Sequence, residues 1–368
     1  MSLEVPATPA EAAASVAEAA KLRAPLAITG LGSKSALGRP RNAARRLDLS
    51  GLSGVTAYEP EELFITALAA TPIEAIEATL AKKGQELAFE PMSFGALYGT
   101  GPGSFGGCLM ANLSGPRRIK AGAARDHVLG VKGVNGKGEA FKAGGTVVKN
   151  VTGYDLSRGL AGSFGTLAVV TELTFKVLPR AETAATMALS GLAPKAAIEC
   201  LCAAMGAPVD VSGAAHLPPF AAKALGFSEP VSLLRLEGFA PSVDERFNRL
   251  ASSLKSIASI ERLDAAASTL LWRAIRDVAP LAGPHDKIIW RISVAPTAGP
   301  PVAAAIGKIH PSEAVFDWSG GLIWLAMEPD CGPDAGAELI RGAIAVHGGG
   351  HATLVRAPDE IKAATSVF

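Results

Sequence analysis

The run Gly99-Thr-Gly-Pro-Gly-Ser-Phe-Gly-Gly107 constrains this chain more than any other stretch. Glycines at this density offer no side chain to a core and lose much backbone freedom on ordering, so something is expected to lie close to bare main chain. The spacing Gly101-x-Gly103-x-x-Gly106 matches a dinucleotide fingerprint, which needs a strand directly before it and a long helix after it. Residues 93–98 are not strand-like, and residues 109–113 leave a short helix before Ser114-Gly-Pro116 stops it. A nicotinamide site of that type is not expected.

A second bare stretch, Gly30-Leu-Gly-Ser-Lys-Ser-Ala-Leu-Gly38, follows a short apolar strand at 26–29. Its glycines, serines and one lysine expose amides and hydroxyls suited to a pyrophosphate, although a tight surface loop accounts for the same residues. Thr8-Pro9-Ala10-Glu11 reads as a capping box opening a helix to about residue 22, and Thr71-Pro72-Ile73-Glu74 repeats it for a helix closing at Gly84. The first 84 residues are thus small α/β units. A hairpin is expected over 126–142, turning at Asn135-Gly136. In the strand from 166 to 179, Leu167, Val169, Thr171, Leu173, Phe175 and Val177 share one face, and Glu172, Thr174 and Lys176 the other.

Beyond Pro179 the texture becomes alanine-rich and proline-punctuated, which places a domain boundary near Arg180. Strands are expected at 231–239, 288–295, 314–318, 322–327 and 352–355, with helices at 242–255, 268–278 and 333–347. That order fits an antiparallel sheet with helices on one face, in the ferredoxin-like manner.

With 35 basic and 34 acidic side chains among 368 residues, the chain has no field for collecting nucleic acid. The basic runs at 39–46 and 117–120 are local. Cys108, Cys200, Cys202 and Cys331 show no CxxC pair, so neither a disulfide framework, nor a zinc site, nor an iron–sulfur cluster is expected here. The N-terminal run carries Glu11, Glu18 and Lys21, and no uncharged apolar stretch reaches about 18 residues, so a cytoplasmic chain without a transmembrane segment is expected.

Three runs together resemble the FAD-binding oxidoreductases of the vanillyl-alcohol oxidase, or PCMH-type, family: residues 28–38, residues 101–118, and Val148-Lys-Asn-Val-Thr-Gly-Tyr-Asp-Leu-Ser-Arg158 leading through Gly162-Ser-Phe-Gly-Thr166 to Lys176-Val-Leu-Pro179. Leu113-Ser-Gly-Pro-Arg-Arg118, Trp290-Arg-Ile-Ser293, Phe316-Asp-Trp-Ser-Gly-Gly321 and Gly348-Gly-Gly-His-Ala-Thr353 resemble more closely the E-subunit family of glycolate oxidases. The resemblance implies an α+β architecture: two α/β subdomains at about 1–54 and 55–180 clasp FAD, and a ferredoxin-like α+β cap spans 181–368. It implies that Gly30, Gly32, Ser33, Lys34 and Ser35 hold the pyrophosphate, and that Pro91, Gly101, Gly106 and Gly107 let the diphosphate and ribityl chain approach. Ser114, Gly115 and Arg118 are implied at the flavin's polar edge, and Gly162, Gly165 and Val169 at the adenosine end. A solvated surface pair accounts equally for Arg117 and Arg118. Some relatives tether FAD through a histidine or cysteine in the pyrophosphate loop; residues 30–38 contain neither, so a non-covalent flavin is expected.

Oxidation of a 2-hydroxy acid by a flavin needs a cation for the carboxylate and a base for the hydroxyl proton. Arg291, His351 and Arg356 are the catalytic candidates, with an exposed strand position and a loop position as the plain alternatives for Arg291 and His351. The His-x-His metal pair of D-type relatives is absent, so no metal is expected. The resemblance then implies a flavin that passes electrons between a D-type flavoprotein subunit and an iron–sulfur F-type subunit, with membrane association through such partners. A self-sufficient 2-hydroxy-acid oxidoreductase and a cofactor-free assembly subunit are the alternatives. Family members continue into a segment carrying Asn-Pro-Gly-Arg, whereas this sequence stops at Ser366-Val-Phe368; the expectation is a shortened chain with weaker flavin occupancy.

Overall fold

The computed structural model describes residues 2–41, 43–147 and 153–368, so residues 148–152 of the third family motif lie outside the described residues. The first helix, Pro9–Lys21, starts as its residue types dictate. Thr8 accepts the Glu11 N–H at 3.2 Å, Glu11 reaches back to the Ala7 N–H at 2.8 Å, and Pro9 sits where a missing N–H costs nothing. The repeat of this pattern at Thr71 does not cap its helix. The Thr71 hydroxyl donates to the Leu68 carbonyl at 2.7 Å and accepts the Gly54 N–H at 2.9 Å, so Ile73–Ala81 begins without a side-chain cap.

The N-terminal half holds two main sheets. A parallel one runs in the order Ser2–Glu4, Arg45–Asp48, Leu26–Thr29. An antiparallel one runs Val55–Glu59, Phe64–Leu68, Ala168–Lys176, Val128–Asn135, Ala140–Gly144. Ala12 and Val16 of the first helix bind the two together by packing on Leu47, Val134 and Val169. The long strand does not keep the single alternation its sequence displays. Lys132 pairs with Glu172 but Gly133 pairs with Val170, leaving Thr171 as the extra residue of a bulge. Ala168 and Val170 therefore join Leu173 and Phe175 on one face, and Val169 turns to the other.

The C-terminal half is organised by an eight-stranded antiparallel sheet. Its order is Ser259–Leu263, Thr183–Ser190, Val231–Gly238, Gly213–Leu217, Ser312–Asp317, Leu322–Met327, Ile288–Val294, Gly350–Arg356. Residues 180–230, whose sequence offers little periodicity, supply two of these strands and the helices Pro194–Gly206 and Pro219–Ala224. One face of the sheet is covered by helices through residues such as Leu201, Phe247, Ile306 and Ile340. The other face buries Trp272, Trp318 and Trp324 against Met92, Phe94, Leu97 and Leu113 of the N-terminal half. That second face is the floor between the halves, and Arg291 lies along it. Among the described residues, no helix is long and apolar enough to cross a membrane.

Candidate functional site

A cleft of about 310 Å³ opens between the loop at 28–41, the helix Phe105–Ala111 and the segment 164–170. Gly32 sits at φ +74°, and a Cβ there would meet nothing within 4 Å, so bare main chain faces open space. Among the described residues, the N–H groups of Leu31, Gly32, Ser33 and Lys34 have no protein acceptor, whereas Ser35 and Leu37 donate back within the loop to Gly32 and Lys34 at 3.1 and 3.0 Å. Consecutive free N–H groups on a turn form a concave anion site. Lys34 reinforces it: among the described residues its ammonium hydrogen-bonds to the Ser33 hydroxyl alone, at 3.4 Å, and burial holds its pKa below the ordinary lysine value. Arg39 and Arg41 also line the cleft, and among the described residues no carboxylate side chain does. The far wall is apolar, from Met110, Ala111, Phe164, Ala168 and Val170. An anionic middle portion flanked by flat apolar groups suits this lining, and that is the make-up of FAD.

Of the residues the resemblance implies, the cleft brings together Gly30, Gly32, Ser33, Lys34, Ser35, Gly106, Gly107 and Gly165. Gly106 has an additional reason to be glycine, since a Cβ would lie 2.8 Å from the Ala69 Cβ. Seven others lie outside the lining. Val169 is turned away by the bulge at Thr171, and Val170 takes its place. Gly162 donates to the Leu109 carbonyl and packs on Asn112, Gly101 is exposed, and Pro91 is buried beside Met92. The Ser114 hydroxyl accepts the Ala124 N–H at 3.0 Å, and Gly115 is a glycine because Arg276 and Glu90 crowd it, at 2.8 and 2.9 Å from an added Cβ. Arg118 belongs to a different cluster.

That cluster lies on the floor between the halves. Arg118, from the N-terminal half, stacks over the Trp318 ring with its guanidinium carbon 4.7 Å from the centroid, and Arg291, from the sheet, does so at 5.1 Å. Arg291 also reaches to 5.9 Å from Trp324. Among the described residues neither guanidinium has a hydrogen bond or an ion pair, and burial together with the Arg118 charge pushes Arg291 down to about 10. Trp318, against which both stack, is fixed because its indole N–H donates to the Gly115 carbonyl at 3.2 Å. Ala111 and Leu37, which line the cleft, pack against the apolar cluster that contains Trp318.

Two catalytic candidates are corrected. Arg356 spends its guanidinium on backbone carbonyls: Lys287 at 2.9 Å, Leu97 at 2.9 Å, Ala282 at 2.8 Å and Pro284 at 2.8 Å. Nothing remains for a substrate, and the residue is a tie between the halves. His351 is exposed on the edge strand opposite Ser293 and makes no contact with the arginine pair. Sequence reasoning overlooked Asp317, which is 3% exposed and follows the sheet's alternation onto the same face as Arg291. An acid between apolar residues in Val315-Phe-Asp-Trp318 was the available signal.

A cleft with a bare-amide anion site in one half, together with a large antiparallel sheet in the other, marks an FAD-binding oxidoreductase of the PCMH type. Consistent with this, residues 3–144 match the family described as FAD binding domain. The fold is that of p-cresol methylhydroxylase, whose structure superposes with a TM-score of 0.74 at 10% identity, covering 97% of this chain and 81% of that one. The chain is 33% identical to glycolate oxidase subunit GlcE of Escherichia coli strain K12 over 337 residues, 92% of this chain and 84% of that protein. It is also 40% identical over 100 residues to glycolate oxidase subunit GlcD of Bacillus subtilis strain 168, 26% of this chain and 21% of that one. The chain belongs to the GlcE family of flavoproteins.

Proposed function

We propose that this chain is the FAD-binding subunit of a glycolate-oxidising complex, divided near residue 180 into a cofactor half, with subdomains at about 1–54 and 55–180, and a cap. The observation that carries the reading is the row of free N–H groups from Leu31 to Lys34 facing a cleft without acidic side chains. In this assignment Gly30, Gly32, Ser33, Lys34, Ser35 and Gly107 hold the diphosphate by amides, hydroxyl groups and one ammonium. Val170, Met110 and Phe164 shield the apolar ends from water. When bound, FAD supplies the acceptor for the hydride of a 2-hydroxy acid. Arg118 and Arg291 hold the acid's carboxylate, each from its own half, so the substrate is oriented only when cap and cofactor half are together.

Purified chain carrying the visible flavin band, released into the supernatant by acid, is the expected result. A colourless, folded protein that takes up no added FAD overturns it. The D-type flavoprotein and an iron–sulfur subunit are the partners in this reading, and co-purification with a D-type chain tests the first of them. The unpaired arginines favour one further reading, in which this chain meets the acid directly. Bleaching of the bound flavin by glycolate without partners supports that reading, and a yellow, inert chain supports a relay.

A further inference from the structure

We propose that the Arg118–Trp318–Arg291 stack binds a small carboxylate together with a proton, and that Asp317 receives the proton. The proposal rests on the cofactor reading above and adds to it a charge-balancing residue. Arg118 lies close enough to Arg291 to disfavour its charge, and among the described residues no carboxylate makes an ion pair with either. Asp317 is an acid on Arg291's face of the sheet, joined in sequence to the tryptophan on which both arginines stack. Its Oδ1 accepts the Trp318 N–H at 2.7 Å, and this is its one hydrogen bond among the described residues. The charges facing it come from three elements: Arg291 on the adjoining part of the sheet, Arg235 on strand Val231–Gly238, and Glu90 on the loop of the other half. Arg235 is already committed to Glu90, with contacts of 2.7 and 3.1 Å, so these two largely cancel. Arg291 is the free counter-charge.

Burial, with a smaller push from Glu90, raises the Asp317 carboxyl to about 7. Without a ligand, an ionised Asp317 offsets part of the double positive charge. A carboxylate seated between the arginines takes over that role, and the second negative charge in a dry site is then relieved by protonation. Asp317 and Trp318 are thus positioning residues. Asp317 acts through the arginines' field, and Trp318 holds their planes.

The test is isothermal titration of the FAD-loaded chain with oxalate, a dicarboxylate that lacks a hydrogen on carbon to lose, in two buffers of different ionisation enthalpy. The wild type is expected to take up roughly half a proton per oxalate bound at about pH 7 and close to one at about pH 8, with its affinity weakening by about threefold per pH unit near 7 and approaching tenfold per unit above 8. Below about pH 6 the uptake disappears, because the carboxyl is already neutral. Asp317→Asn keeps the acceptor for the Trp318 N–H and mimics the neutral acid, so it is expected to bind oxalate with no proton uptake and little pH dependence. Arg291→Gln is expected to lose at least about tenfold in oxalate affinity at every pH while keeping its FAD. Oxalate binding without proton exchange in the wild type overturns the proposal, as does unchanged uptake in Asp317→Asn or no oxalate binding at all. If Asp317→Asn does not fold, the wild-type two-buffer result decides alone. Flavin content is measured on the same samples, so a chain without FAD removes the underlying reading, whereas a yellow chain with proton-free binding removes this one.

Discussion

Lys34 is a half-buried cation whose one hydrogen bond among the described residues is to a hydroxyl, which makes it the residue whose loss separates cofactor binding from folding. Lys34→Met is expected to lower FAD affinity by roughly ten- to a hundredfold, the worth of one charge-assisted bond, with little change in melting temperature. Titrating FAD into deflavinated protein and following flavin fluorescence checks this, and an unchanged dissociation constant contradicts the diphosphate assignment. Two glycines give a second contrast. Gly32→Ala meets open space and is expected to cost about 1 kcal/mol, from its left-handed backbone alone. Gly106→Ala drives a Cβ to within 2.9 Å of the Ala69 carbonyl oxygen and should cost more than Gly32→Ala in urea midpoint, since the obstacle is backbone. Residue by residue, the loop at 30–35 could be singled out because its glycines, serines and lysine expose amides, hydroxyls and one cation, although a plain surface loop accounted for the same residues until the cleft beside it was seen. Val169 was not, because a single extra residue in the ladder reverses which side chains face the cleft, and nothing in an alternating run marks where the bulge falls.

Among elements, the strands of the cap carry more of the architecture than their sequence discloses. Thr183–Ser190 and Gly213–Leu217 are central strands built from alanine, threonine and a buried histidine, and pairing on both edges stabilises segments whose own propensity is weak. Strands rich in valine, isoleucine and leucine, such as Ile288–Val294 and Leu322–Met327, were readable directly. The strand Gly350–Arg356 ends in the residue that fastens it. Arg356 satisfies carbonyls from residues 281–287 and from Leu97 across the floor, so replacing it leaves several buried oxygens without donors. Arg356→Leu is accordingly expected to destabilise the protein by about 3 kcal/mol or more, while a folded preparation retains its diphosphate site. Chemical denaturation with FAD content measured in parallel checks this. Reduced flavin affinity at unchanged stability would restore a direct role for the residue.

Across the whole molecule, the two halves are fastened by a buried ionic network whose chemistry predicts how they come apart. Glu90, held at φ +52°, accepts two bonds from Arg235 and the Arg117 N–H at 2.6 Å. Arg117 in turn pairs with Glu86 and Glu237, each at 2.7 Å, so acids and bases from both halves alternate. Burial works against the charges, yet Arg235 and Arg117 hold the Glu237 carboxyl down to about 2 and keep Glu90 below the usual carboxylate range. A carboxyl whose folded pKa is depressed stabilises the fold above its unfolded value, near 4.3, and that contribution is lost as pH falls through the folded value. For Glu237 the roughly two-unit depression corresponds to about 3 kcal/mol, lost between about pH 4 and 2. Glu86 has the opposite sign: burial raises its pKa, so its ionised form opposes folding and protonation relieves it. The net expectation is a urea midpoint that rises from neutral pH to about 5, as the raised carboxyls of Asp317 and Glu86 take up their protons, and then falls steeply below about 4, with the halves separating in small-angle scattering before the cap sheet loses its circular dichroism. Glu237→Gln should start less stable and lose much of that acid dependence. If its acid limb superimposes on the wild type's, the joint between the halves is held by the apolar floor of Trp318, Trp324 and Leu97 instead of by these charges.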